Sequence, residues 1–117
     1  MGKFETEYEV PYTSVKNLLD ISKLTRGSFI NVNNGEVELH SQYVTTGLIP
    51  VYKETTYIFD NCQDWIRINL YDDDGHWLRG VEGNNSLEMF TSDSGQYIRL
   101  SYNIVSETNP QFKMGRK

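Results

Sequence analysis

The chain has 117 residues, 38% of them hydrophobic and 23% charged, with a formal net charge of -5. That length makes one domain with its own core and leaves no room for two, while eight Tyr, five Phe and two Trp exclude a disordered chain. The acidic balance and the scatter of the eleven basic residues exclude nucleic acid and an anionic membrane surface, since both demand a dense positive face.

Period-two alternation runs through the sequence, and no convincing helical period does. Phe4, Thr6, Tyr8 and Val10 share one face of a first strand, with Glu5, Glu7 and Glu9 on the other, until Pro11 stops it. Residues 1–16 are therefore expected to form an additional N-terminal strand or arm. The only candidate helix, Val15 to Leu24, is too short and irregular to be trusted. Ile30 and Val32 can point inward before Asn33-Asn34-Gly35, a tight-turn signal because Asn and Gly tolerate positive φ. Val37 and Leu39 then alternate with Glu36, Glu38 and His40. The run from Tyr43 to Val51 carries Gly47 and Pro50 and is expected to be bent or to lie at an edge.

Lys53 to Phe59 reads as a strand. The clearest half-buried strand follows, with Ile66, Ile68 and Leu70 alternating with Arg67, Asn69 and Tyr71. Asp72-Asp73-Asp74-Gly75 turns the chain, His76 to Val81 runs back, Gly83-Asn84-Asn85-Ser86 turns it again, and Leu87 to Thr91 forms another strand. After the turn Ser92-Asp93-Ser94-Gly95, Ile98, Leu100 and Tyr102 alternate with Tyr97, Arg99, Ser101 and Asn103. From Ser106 the periodicity is lost, so 106–117 is expected to be an irregular tail. Short strands about ten residues apart, separated by Gly/Asn/Asp turns, predict an all-β fold, an antiparallel sandwich or barrel.

Chemistry-bearing patterns are sparse. Asp72-Asp73-Asp74-Gly75 invites a calcium reading, but the twelfth position of an EF-hand loop from Asp72 is Gly83, not Glu. The segment reads as a hairpin turn with Gly75 in a left-handed conformation, although a calcium site built from mixed oxygens is left open. His40 and His76 have no Cys or His at ligand spacing, so no zinc site is expected and no residue is assigned as a metal ligand. There is no Gly-x-Ser-x-Gly elbow, and Cys62, the only cysteine, has no supporting catalytic signature and no disulfide partner within the chain. With sixteen acidic residues, carboxylate pairs carry no information about glycoside hydrolysis. No enzyme and no cofactor are expected. The Asn84-Asn85-Ser86 acceptor pattern and the myristoylation-like start are chance matches. No run is long and apolar enough for a signal peptide or a membrane span, so synthesis in the cytoplasm without membrane insertion is expected.

The aromatic residues say more. Sugar rings stack apolar C–H faces on Trp and Tyr, and their hydroxyls need amides, carboxylates, guanidinium or imidazole groups. Alternation sends Trp65, Arg67, Asn69 and Tyr71 to the face opposite the apolar residues of their strand. Asp74, His76 and Trp77 follow at once, and Arg99, beside Tyr97, lies on the polar face of the last strand. Singly, each has a plain structural use: a Trp plugging a sandwich end, or an Arg paired with an Asp. As a cluster, these eight residues are the candidate carbohydrate site.

Several stretches together carry a resemblance: Asn17-Leu18-Leu19-Asp20, Lys23-Leu24-Thr25-Arg26-Gly27, Asn31-Val32-Asn33-Asn34-Gly35, Thr46-Gly47-Leu48-Ile49-Pro50-Val51, Thr55-Thr56-Tyr57, Arg67-Ile68-Asn69-Leu70-Tyr71-Asp72, Gly75, Phe90-Thr91 and Tyr97-Ile98-Arg99-Leu100-Ser101-Tyr102. In order and spacing, from about Asn17 to Gly115, the chain resembles the carbohydrate-binding modules of phage tail and baseplate proteins. These occur as accessory baseplate proteins, as insertions in distal tail proteins and as tail-fibre modules of phages that infect Gram-positive bacteria. The resemblance implies a jelly-roll-like β-sandwich displayed on the virion, non-catalytic, adhering to host cell-wall polysaccharide or teichoic-acid sugars beside other tail or baseplate proteins. A homo-oligomer is compatible with it. The first sixteen residues lie outside the match. The alternative is a structural or assembly module of the virion that reads no sugar, and a third reading is a cell-wall hydrolase.

Overall fold

A computed structural model describes residues 16–93, 95–104 and 109–115. The expected strand at Phe4–Val10 lies outside them. The strands are β1 (Leu24–Ile30), β2 (Val37–Thr46), β3 (Ile49–Pro50), β4 (Thr56–Asp60), β5 (Trp65–Tyr71), β6 (Trp77–Asn84), β7 (Leu87–Phe90), β8 (Tyr97–Asn103) and β9 (Gln111–Met114). They form two antiparallel sheets, one in the order β1-β2-β8-β5-β6 with β3 also paired to β8, the other β7-β4-β9. The chain passes repeatedly between the sheets, and β8 returns late to lie between β2 and β5. This is an all-β sandwich with jelly-roll-like crossings.

The core follows from alternation. Ile66, Ile68 and Leu70 of β5 and Ile98 and Leu100 of β8 are fully buried on one face of the large sheet. Tyr57 and Phe59 of β4, Met89 of β7 and Phe112 of β9 meet them from the small sheet. Phe59 bridges the layers, edge-on to Tyr102 at 5.8 Å and to Phe112 at 6.3 Å, and Tyr57 stacks on Phe112 at 5.6 Å. These separations lie in the range where aromatic pairs attract beyond their buried area.

The turns at 72–75 and 83–86 form where expected, with Gly75 at φ +84 and Asn85 at φ 72. One expectation fails. The irregular tail is in part a strand: β9 pairs along β4 from Tyr57↔Met114 to Asp60↔Gln111. Its outer edge is sealed by Asn17 and Leu18. The Phe112 N–H donates to Asn17 Oδ1 at 2.9 Å, and the Leu18 N–H donates to the Phe112 carbonyl at 2.7 Å. The trial helix reduces to one 3-10 turn, Ile21–Lys23, capped by Asp20, whose side chain accepts from the Ser22 N–H at 3.0 Å. The hydrogen bonds from Ser22 hold the Asp20 carboxyl below its ordinary value.

The β1–β2 hairpin departs furthest from simple alternation. Arg26 faces Val44, but Ser28 faces Leu39, so β2 carries extra residues opposite Gly27, itself at φ +89. The distal half swings across the outer face of the large sheet. Ile30 is buried there and its N–H donates to Ser101 Oγ at 3.1 Å, while Thr45 Oγ1 donates to the Ser28 carbonyl at 2.9 Å. Leu39, on the partner strand, is left 90% exposed.

Gly35 ends the hairpin loop at φ +77, and a Cβ there would run into Cγ of Trp77. Gly35→Ala combines backbone strain with overpacking and is expected to cost about 1–3 kcal/mol in urea unfolding. Unchanged stability would contradict the docking of this loop on Trp77.

Candidate functional site

The alternation of β5 brings Trp65, Arg67, Asn69 and Tyr71 to the outer face of the large sheet, and register adds Arg99 opposite Asn69 and Trp77 opposite Tyr71. The hairpin lying across that face divides them. Asn69 is completely buried. Its Nδ2 donates to the Ile30 carbonyl at 3.2 Å and its Oδ1 accepts from the Trp77 indole N–H at 2.8 Å, so its carboxamide is committed to holding the hairpin down. Trp77 is half-buried against Gly35 and serves the same contact. Arg99 donates from Nε to the Thr46 carbonyl at 2.9 Å. Tyr71 is buried, and its hydroxyl faces the Arg99 guanidinium without completing a hydrogen bond.

Burial pushes the Tyr57 and Tyr71 phenols above their ordinary value, with Arg99 partly opposing the shift at Tyr71. A folded-state value above the unfolded one means that these groups favour the native state fully below about pH 10, and that this contribution is lost as pH rises through their raised values. Phenolate absorbance at these two residues is therefore expected to appear only above the ordinary tyrosine range, accompanied by loss of native near-UV signal. Ordinary titration of both with the fold intact would contradict their burial.

Asp74 and His76 are exposed in the turn at the far end of β5 from Trp65, about 20 Å away for a strand of this length. They cannot grip a ring stacked on Trp65. Ligand atoms of Asp72, Asp74 and His76 lie within 4.8 Å of one another. The turn itself accounts for Asp72, whose Oδ1 accepts the N–H groups of Asp74 and His76, both at 2.9 Å. The His76 N–H first, and that of Asp74 after it, hold the Asp72 carboxyl below its ordinary value.

A different group surrounds the other end of β5. Trp65 is 40% exposed. Its N–H donates to Asp64 Oδ1 at 2.7 Å, its carbonyl accepts from the Tyr43 hydroxyl at 3.3 Å, and its indole N–H donates to Glu82 Oε1 at 3.1 Å. Arg67 Nε lies 3.3 Å from the same Oε1. The Arg67 guanidinium sits 3.9 Å over the Phe29 ring and 5.2 Å from that of Tyr43, with Nη1 buried and without a hydrogen-bond partner. Cation–π attraction stands in for part of the missing hydrogen bond. Asn84 is exposed directly across from Trp65, and cross-strand partners share a face, so its side chain leaves the sheet on the same side as the indole.

The chain matches no protein-family model, no curated protein and no solved structure.

Of the eight expected residues, Trp65 and Arg67 belong to this open platform. Asn69 and Tyr71 are buried, Trp77 and Arg99 are held in internal contacts, and Asp74 and His76 stand apart. Glu82 and Asn84 complete the platform and were not among the expected residues. The strand pairing could have indicated them, had the register of β5 on β6 been known. Three adjoining concavities lie elsewhere, the largest about 610 Å³ and lined by residues 16–21, Ile49 and Pro50. None of the three brings two carboxylates together, so paired-carboxylate hydrolysis has no seat in them.

Proposed function

We propose that this protein is a non-catalytic carbohydrate-binding domain that stacks a sugar ring on Trp65, with Glu82 and Asn84 receiving its hydroxyls. The observation that carries the reading is an accessible indole edged by a carboxylate and a carboxamide. This combination suits the two surfaces of a pyranose, one apolar and one rich in hydroxyls. An open platform of this kind gives weak single-site binding. Millimolar affinity corresponds to only about 4 kcal/mol. Many copies on one particle raise the effective binding about a hundredfold or more where geometry allows. That suits the resemblance to tail and baseplate modules, from which we take the setting: a virion surface, neighbouring tail or baseplate proteins, and the host cell-wall polysaccharide or teichoic-acid sugars as ligand.

Titration of the protein with wall polysaccharide from Gram-positive bacteria, followed at the Trp65 indole N–H resonance, tests the reading. A saturable shift is expected, and no shift with any wall glycan overturns it. The second reading, an assembly module, is favoured by the apolar groove formed by Leu18, Pro50, Val51, Tyr57 and Met114 beside the 71% exposed Tyr52. It predicts that Tyr52→Ala changes oligomeric state and leaves glycan binding untouched.

A further inference from the structure

We propose that the Trp65 platform selects amine-bearing sugars over neutral ones and turns away anionic sugars, with Glu82 as the selecting residue. The inference rests on the carbohydrate reading above. Both close contacts of the Glu82 carboxylate, the Trp65 indole N–H at 3.1 Å and Arg67 Nε at 3.3 Å, converge on Oε1. Oε2 is left unengaged on a side chain that is 36% exposed. A carboxylate oxygen accepts and never donates. Beside a stacking surface it receives a hydroxyl or, better, an ammonium, while a sugar carboxylate or phosphate brings only further acceptors to the same place.

Arg67 does not offset this. Its Nε is taken by Glu82, its Nη1 is buried, and its plane lies against Phe29 and Tyr43. It contacts only Oε1 of Glu82 and presents no positive fork to solvent, so Oε2 stays an acceptor. The Asn84 carboxamide both donates and accepts, so it serves any neutral hydroxyl and discriminates little. Selection therefore falls to Glu82. Hydrogen bonds with an ionised partner are about twice as strong as neutral ones. At an exposed position, however, an ion pair changes affinity by only about two- to fivefold.

The probes are β-1,4-linked oligomers of glucosamine, glucose and glucuronic acid of equal length, titrated at low salt against the whole protein and read at the Trp65 indole resonance. Glucosamine is expected to bind about two- to fivefold more tightly than glucose, with glucuronate weakest and the spread shrinking as salt screens the charges. Glu82→Gln keeps an acceptor for the indole N–H and removes the charge, so the preference should collapse in that variant. Glucuronate binding as tightly as glucosamine, or a Gln variant that keeps the preference, overturns the proposal. A wall polysaccharide that shifts the indole while the oligomers show no such order overturns the charge selection alone. No shift with any glycan overturns the carbohydrate reading itself.

Discussion

Replacing Phe112 by alanine is expected to lower the unfolding free energy by about 3–5 kcal/mol, the usual cost of deleting a buried aromatic side chain. Phe112 has no exposed surface, stacks on Tyr57, and meets Phe59 edge-on. Its own peptide group also ties β9 to Asn17 and Leu18. Among the described residues the small sheet has three strands, so loosening β9 leaves β4 with one of its two partners there and uncovers Phe59 from the side. A single domain of this size is stable by about 5–15 kcal/mol, which places the variant close to unfolding. Urea denaturation with coincident fluorescence and circular dichroism transitions checks it. A loss below about 1 kcal/mol would mean that β9 is peripheral and that the core closes without it.

That strand is also where the sequence was hardest to read. Gln111–Met114 is four residues long and follows Pro110, so its single alternation of Phe112 with Met114 falls below what periodicity can detect. Its placement comes from a long-range pairing with β4, and local sequence carries no record of such a partner. By contrast, β5 and β8 announce themselves. Each sets three apolar residues against polar neighbours; β5 ends at the turn where Gly75 has φ +84, and β8 follows the turn where Ser92 has φ 58. The β1–β2 hairpin lies between these cases. Its turn was legible. Its fold across the sheet was not, because the irregularity at Gly27 turns what reads as a solvated sheet face into a covered one.

The same physics explains why the structure scatters the eight candidate residues. Alternation correctly sent Trp65, Arg67, Asn69 and Tyr71 to one face, but it cannot report what lies on top of that face. Asn69 looks like a ligand-reading amide and is instead the anchor of the hairpin. Glu82 was hidden by register. Counting back symmetrically from the Asp72–His76 turn sets Arg67 opposite Val81. A one-residue irregularity between Leu70 and Tyr71 shifts the ladder, so that Arg67 faces Glu82 and Trp65 faces Asn84. Bulges commonly re-aim side chains in this way, and here the shift supplies both polar edges of the platform.

Trp65→Ala is expected to weaken glycan binding about tenfold or more while the fold persists, and the two tryptophans make this separable from general damage. Trp65 is 40% exposed, and its indole bond to Glu82 lies at the surface, so its removal should cost about 1–2 kcal/mol of stability. Removing the stacking surface, on the other hand, deletes the apolar half of the sugar contact, and a loss of about 1.4 kcal/mol is already tenfold in affinity. Trp77→Phe should do the reverse. It leaves the buried Asn69 Oδ1 without its donor, at a cost of about 1–3 kcal/mol in stability, and does not touch the platform. Titration and urea unfolding of both variants give the comparison. Binding retained in Trp65→Ala would remove the indole from the binding surface. Binding lost in Trp77→Phe at native stability would move the site to the covered side of the sheet, where Tyr71 and Arg99 lie.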